Sequence, residues 1–273
     1  MSPKQPNLRT ALRVEPGRRV ELSKIDPSES FGHTREGSAD DLARGLDRVR
    51  SLQERIWAEH RHKVLVILQG IDAAGKGGTI EHVMGAMNPA GCPVTSFKVP
   101  SALELDHDYL WRVHARTPGR GEIAVFDRSH YEDVLVVRVH ELVPKSVWSR
   151  RYDQINAFEK LLADEGTTIL KFFLYIDRDE QRERFQARLD DPDKRWKFRL
   201  GDLDERKRWD DYIEAFEDVL SRCSTEAAPW YVIPSNRKWF RNLAVTEILA
   251  DTLDDLDPRY PEPEEDLTAV VVE

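Results

Sequence analysis

The sequence predicts an α/β fold: a five-stranded parallel sheet with helices on both faces. Three observations carry this. Short apolar runs rich in β-branched residues alternate with longer stretches of helical period. One run, Ile169 to Ile176, is almost continuously apolar, as a strand buried on both faces should be. The first run, Lys63 to Gln69, passes through a glycine-rich turn directly into a helical pattern.

In chain order, residues 1–37 are rich in Pro, Arg, Ser and Gly and lack a period, which predicts an arm lying on the domain surface or on a neighbouring subunit. Leu42, Leu46, Val49, Leu52 and Ile56 recur at helical spacing, so 39–60 should be an amphipathic helix. After the first strand, 63–69, a helix is expected over 76–86 and a second strand over 94–99. Ser101 and Glu104 form a capping box, and the helix they open should run to about His114. The third strand, from Ile123, ends at Asp127. A long helix is expected over 146–165, closed by Gly166, before the fourth strand, and residues 179–189 should be helical. Residues 190–204 have no period. Trp209, Tyr212, Ile213, Phe216 and Leu220 mark a further amphipathic helix, 230–233 is the fifth strand, and Ser235 is placed to cap a last helix reaching about Leu256. The organisation expected is an arm (1–37), one domain (38–257) and an acidic tail (258–273).

Composition excludes several classes. Among 273 residues a third are charged and 40% are apolar, enough for a core. No apolar run approaches the ~18 residues of a membrane span, and Met1-Ser2-Pro3-Lys4 lacks a signal segment's apolar region, so a cytoplasmic protein without membrane partners is expected. The two cysteines, Cys92 and Cys223, fit free thiols. A net charge of −9 argues against nucleic acid as a partner.

The chemistry-bearing stretch is Gly70-Ile71-Asp72-Ala73-Ala74-Gly75-Lys76-Gly77-Gly78-Thr79. Gly70, Gly75 and Lys76 stand at Walker A spacing, in which backbone N–H groups cradle phosphate and the lysine meets its outer oxygens. Gly77 stands where Ser or Thr would normally ligate Mg²⁺. Asp72 inside the loop is either a turn residue or a Mg²⁺ ligand or base, since a carboxylate in a phosphate cradle needs a cation or proton between them. Asp127 ends an apolar strand, the Walker B arrangement, and is the second candidate for Mg²⁺. Arg128 beside it either contacts a transferred phosphoryl group or forms a surface ion pair. Arg195, Lys197, Arg199 and Arg208 belong to a basic segment that is either an anion-binding lid, about 190–208, or a solvated charged loop. Lys98 and Arg112 flank the second strand and the following helix, within reach of phosphate.

Taken together, the chain resembles the second family of polyphosphate kinases. The matching motifs are Gly70 through Gly78, Phe126-Asp127-Arg128-Ser129-His130-Tyr131-Glu132, and Arg195-Trp196-Lys197 with Trp209-Asp210-Asp211-Tyr212. The resemblance covers about residues 30–257, and the Gly77-Gly78 departure is itself a mark of that family. It implies a P-loop kinase-like three-layer sandwich with a lid. It also implies inorganic polyphosphate and nucleoside mono-, di- and triphosphates as substrates, Mg²⁺ as cofactor, and a homodimer or homotetramer. It assigns Asp72, Lys76, Asp127 and Arg128 to catalysis. Phosphate contacts are expected from Gly70, Ala73, Ala74, Gly75, Gly77, Gly78, Thr79, Lys98 and the four lid cations, and nucleotide contacts from Arg112, Glu132, Asp133 and Arg138. The run Glu132 to His140 is most similar to the subgroup accepting both mono- and diphosphates. The alternatives are an ATP-dependent nucleoside monophosphate kinase and a polyphosphate-binding regulatory protein.

Overall fold

Side chains of the first strand, Lys63–Gln69 (β1), divide between two apolar cores. Val64, Val66 and Leu68 enter one, Leu65 and Ile67 the other, on the opposite face. That alternation makes β1 the centre of a sheet completed by Val94–Ser96 (β2), Ile123–Asp127 (β3), Thr167–Tyr175 (β4) and Trp230–Pro234 (β5). The order is β2-β3-β1-β4-β5, and every pair is parallel. In this computed structural model residues 5–263, 265–267 and 270–272 are described; positions 1–4 of the expected arm and 264, 268, 269 and 273 of the expected tail lie outside them.

The helices, in order, are Leu8–Ala11 (α1), Ala39–Glu59 (α2), Lys76–His82 (α3), Ala102–Leu105 (α4), Trp111–His114 (α5) and Val136–Val139 (α6). Lys145–Asp164 (α7), Arg178–Asp190 (α8), Gly201–Lys207 (α9), Trp209–Cys223 (α10) and Lys238–Asp255 (α11) follow. Residues of α2 and α11 fill the core on one face, those of α7 and α10 the core on the other. Among the described residues, no helix is long and apolar enough to cross a membrane.

Four elements differ from the sequence expectation. β2 stops at Ser96 because its sole neighbour, β3, ends opposite it at Asp127. The helix opened by Ser101 keeps its capping box but breaks after Leu105, and Asp108 starts a new turn by accepting from the Leu110 N–H. The helix after the loop ends at His82 and gives way to a 3₁₀ turn, Met84–Ala86. Ser235 caps nothing: its hydroxyl donates to Ile233 O, and α11 begins only at Lys238.

Residues 8–22 supply core. Leu8 and Leu12 pack on one face of the sheet, Val14, Val20 and Leu22 on the other. The Val14 N–H donates to Trp230 O (2.8 Å) and the Val232 N–H to Leu12 O (3.0 Å), with Arg13 opposite Tyr231 in an antiparallel bridge. This segment covers the outer edge of β5, which would otherwise present a row of unpaired backbone groups.

Where α11 meets α2, burial pushes the half-buried Glu247 carboxyl up from 4.5 to about 7, with Asp251 and Asp41 adding repulsion. The folded state therefore holds a proton that the unfolded chain releases between pH 4.5 and about 7, so this group's contribution to stability falls as pH rises through that window. Glu247→Gln is expected to raise Tm at pH 8 and leave it nearly unchanged at pH 4.5; scanning calorimetry at the two pH values checks this.

Candidate active site

The carboxyl ends of β1 and β3 are adjacent, and chemistry gathers where their loops leave the sheet. This is the switch point of the topology: the chain leaves β1 toward β2 and later crosses to β4 on the other side. Leu68 pairs with Asp127, and the Arg128 N–H donates to Leu68 O (3.0 Å), so the loop after β3 starts beside the loop after β1. Two non-glycine residues here hold positive φ, Ala73 at 67° and Arg128 at 63°, a conformation that costs ~1 kcal/mol or more and persists where neighbours enforce it. Gly75, at φ 115°, has no alternative: a Cβ there would sit 1.9 Å from Arg241 Nη1. Gly77 differs, since beyond its chain neighbours and its own helix backbone no atom lies within 4 Å of where its Cβ would be.

Lys76 is 9% exposed and its Nζ donates to Gly70 O at 2.6 Å. Burial lowers the affinity of its ammonium for the proton and Arg128 adds to that, against the pull of Asp72, Asp127 and Glu132. Arg128 Nη2 pairs with Asp72 Oδ1 at 2.8 Å. Burial works against the Arg128 charge, yet Glu132, Asp72 and Asp127 together raise its pKa. For Glu132 burial wins over Arg128 and Lys76, and the carboxyl titrates above its ordinary value. Asp127 Oδ2 accepts from Ser96 Oγ (3.0 Å). Asp72, Arg128 and Glu132 line a cavity of about 220 Å³ together with Leu135, Tyr212 and Phe216. Thus the structure brings the loop, Asp127, Arg128 and Glu132 together.

Other expected residues lie elsewhere. Arg112, 9% exposed, donates to Lys98 O (2.8 Å) and stacks over Phe97 at 5.5 Å, while the Lys98 side chain points to solvent. Asp133 pairs with Arg151 at 2.8 Å, and burial raises it to about 6 against Arg151 and Arg112. Arg138 is held by Tyr152, Asp218 and Glu214 and lies over Trp148, outside the lining of the cavity. In the basic segment Arg195, Lys197 and Arg199 are exposed, on and after the short 3₁₀ turn Arg195–Lys197, and Arg208 Nη1 donates to Val139 O (3.0 Å). Lys194 and Lys207 pair with Asp191 and Asp204. Among the described residues none of Arg195, Lys197, Arg199 and Arg208 pairs with a carboxylate. The interspersed acids thus leave these four cations, besides Arg206, without a carboxylate partner among the described residues.

Sequence reasoning missed the supports. Arg184, on α8, spends all five N–H groups: Nη1 on Ala73 O and Ala74 O (both 2.8 Å), Nη2 on Ser235 O (2.5 Å) and Asn236 O (3.2 Å), Nε on Glu180 (2.7 Å). Beneath the β3 loop, Lys171 Nζ donates to Glu159 Oε2 (2.5 Å), Tyr131 Oη (2.8 Å) and Cys223 O (2.7 Å), and His130 Nε2 meets Glu159 Oε1 at 3.1 Å. Burial pushes the Glu159 carboxyl up, but Lys171 and His130 outweigh it and hold it below its ordinary value. The one advance signal was a lysine inside the apolar run 169–176.

Asp72 and Asp127 are hard oxygen donors suited to a divalent cation. Among the described residues no three His, Cys, Asp or Glu side chains cluster as a metal cage. One or two carboxylates completed by substrate phosphates is the Mg²⁺ pattern, so the donor set fits.

Comparison with known proteins gives four concordant matches. The family model described as Polyphosphate kinase 2 covers residues 33–261. The AMP/ADP-polyphosphate phosphotransferase of Meiothermus ruber is 54% identical over 263 residues, 96% of this chain and 98% of that protein. The ADP-polyphosphate phosphotransferase of Rhodopseudomonas palustris is 46% identical over 267 residues, 92% of this chain and 91% of that one. Among solved structures, polyphosphate kinase 2 from Arthrobacter aurescens TC1 superposes with a TM-score of 0.93 at 43% identity, over 97% of this chain and 95% of that one.

Proposed function

The chain belongs to the polyphosphate kinase 2 family, and from that premise we propose that it transfers the terminal phosphoryl group of inorganic polyphosphate to nucleotides, converting ADP to ATP and AMP to ADP, and acting on GDP as well. The carrying observation is convergence: Lys76, Asp72, Asp127 and Arg128 meet at the adjacent ends of β1 and β3. Arg195, Lys197, Arg199 and Arg208, none of them paired with a carboxylate among the described residues, also favour a polyanion over a solvated loop. The double acceptor range is supported by the Meiothermus relative, which is named for both AMP and ADP.

In this reading a terminal oxygen of the nucleotide attacks the end phosphorus of polyphosphate in line. One O–P bond forms, the bridging P–O bond breaks, and a chain one unit shorter leaves with the electron pair. The attacking oxygen is already anionic, so no side chain need remove a proton. Lys76 and Arg128 stabilise charge on the oxygens of the phosphoryl group in transit. Asp72 and Asp127 would hold Mg²⁺, which when bound neutralises part of the phosphate charge. The Asp72–Arg128 pair engages only Oδ1 and Nη2, which leaves Asp72 Oδ2 for metal and the other guanidinium N–H groups for phosphate. The open space beside Gly77 leaves room for the polyphosphate chain to pass. A homodimer or homotetramer completes the proposal.

The test is incubation with long-chain polyphosphate, Mg²⁺ and each of AMP, ADP and GDP, with the products separated by anion-exchange chromatography. Phosphorylated product from polyphosphate is expected with each acceptor; phosphorylation of AMP by ATP alone overturns the reading. Asp72→Asn is expected to raise the Mg²⁺ concentration for half-maximal rate at least ~10-fold. An unchanged Mg²⁺ dependence removes Asp72 from the metal set.

A further inference from the structure

One face of α8 touches both the phosphate loop and the helix that closes the basic segment. Gln181, 1% exposed, donates from Nε2 to Asp72 O at 2.9 Å and accepts at Oε1 from Arg206 Nη1 at 3.0 Å. Only one orientation of the amide satisfies both bonds, because the Asp72 carbonyl needs a donor and the guanidinium an acceptor. Arg206 lies on α9, and its Nη1 also donates to Arg178 O at the start of α8 (2.6 Å). Among the described residues it pairs with no carboxylate. The contact between α9 and α8 is therefore made of short, directional bonds to neutral oxygens, which depend on position more steeply than an ion pair does.

Three residues on from Gln181, Arg184 reaches the same loop. Its bonds fix the carbonyls of Ala73 and Ala74 on the α8 side. In a trans peptide the N–H opposes the C=O, so the N–H groups of Ala74 and Gly75 point away from α8. The Ala74 N–H is spent on Ile71 O (3.0 Å), which leaves Gly75 facing the cradle side. Arg184 also grips Ser235 O and Asn236 O, tying the loop to the segment after β5.

We propose that Gln181 is a positioning residue that carries the placement of α9 to the Asp72 peptide of the phosphate loop, beside peptides that Arg184 holds independently of α9. The inference rests on the reading of 70–79 as phosphate loop and of about 190–208 as lid. When α9 docks, Arg206 fixes the Gln181 amide, and that amide fixes the Asp72 peptide. The Asp72 peptide is then held in place only when the lid is seated, while Arg184 holds the peptides that carry the Ala74 and Gly75 N–H groups in either case. Gln181 lines the cavity, but its amide oxygen and one amide N–H are engaged by Arg206 and Asp72 O, and Arg184 spends every N–H on protein oxygens.

A double-mutant cycle tests this on the full chain. Gln181→Met and Arg206→Met are each expected to lower kcat about 10-fold, as loss of one well-placed hydrogen bond implies, with KM for ADP changed less than about twofold. The double variant should be no worse than about twofold below the weaker single. Gln181→Glu is the sharper probe: it still accepts from Arg206 but has no N–H for Asp72 O, so its kcat should fall as far as that of Gln181→Met. Deuterium exchange over 70–79, without substrate, should quicken in Gln181→Glu and Arg184→Met and stay unchanged in Lys207→Ala. Effects that multiply in the double variant, or wild-type kcat and exchange in Gln181→Glu, overturn the proposal. If the wild-type chain transfers nothing from polyphosphate, the functional reading fails and the exchange data still decide the coupling.

Discussion

Transfer from polyphosphate to ADP by a Lys76→Met chain is expected to fall by about 10³-fold, nearly all of it in kcat. Lys76 and Arg128 are the cations facing Asp72, Asp127 and Glu132, so removing one leaves three carboxyl groups against a single guanidinium. In the proposed transfer the ammonium stabilises charge on the oxygens of the phosphoryl group in transit, and such a contact is worth most in the transition state. The fold should survive, because methionine fills the same buried space and forfeits one hydrogen bond, to Gly70 O, worth about 1 kcal/mol. Lys76→Arg should not rescue, since the wider planar group cannot occupy a pocket built for a point charge. Initial rates at saturating ADP, with a thermal melt of each variant, check this. A rate within tenfold of wild type, from a folded variant, would remove Lys76 from the chemistry.

Lys171→Met carries the largest expected loss of stability, about 3–5 kcal/mol. Lys171 and Glu159 are both fully buried, and the ammonium spends three donors there. Methionine leaves the Glu159 carboxylate with His130 and Tyr131 alone, in a site that disfavours an uncompensated charge. Urea unfolding measures the loss, and Lys171→Met with Glu159→Gln should recover part of it, because the stranded charge is then gone. Because His130 sits two residues from Arg128, the single variant should also lose activity at temperatures where it stays folded. A loss below about 1 kcal/mol would mean that the cluster is held together by packing rather than charge.

The legibility of this molecule in its sequence follows the range of the forces involved. The phosphate loop, the strand ending in Asp127 and the two-faced strand 169–176 are written in adjacent residues, and all stand where expected. Gln181 and Arg184 were not legible: α8 also carries Arg178, Arg182 and Arg188, and nothing local says which faces inward. Arg138, which the resemblance assigned to nucleotide, is held in this structure by Asp218 and Glu214, 76–80 positions away, partners that no local pattern could point to. Ser235 had the right residue type for a cap. Its segment turns instead so that its carbonyl and that of Asn236 meet Arg184, a long-range demand that overrides a local preference.

The segment along β5 sets the order in which the molecule can be finished. Ser224 Oγ donates to Val14 O across 210 positions of chain, and the Val14 N–H reaches Trp230. A ribosome releases Leu8 to Val14 long before β5 exists, so these residues must wait, unpaired, while the sheet is synthesised. Closing so long a loop is entropically late, which makes docking of this segment the concluding step of folding rather than its nucleus. Until then Leu8, Leu12 and Val14 are bare and β5 lacks its outer neighbour, so the nascent chain is most prone to associate with its own copies in that interval.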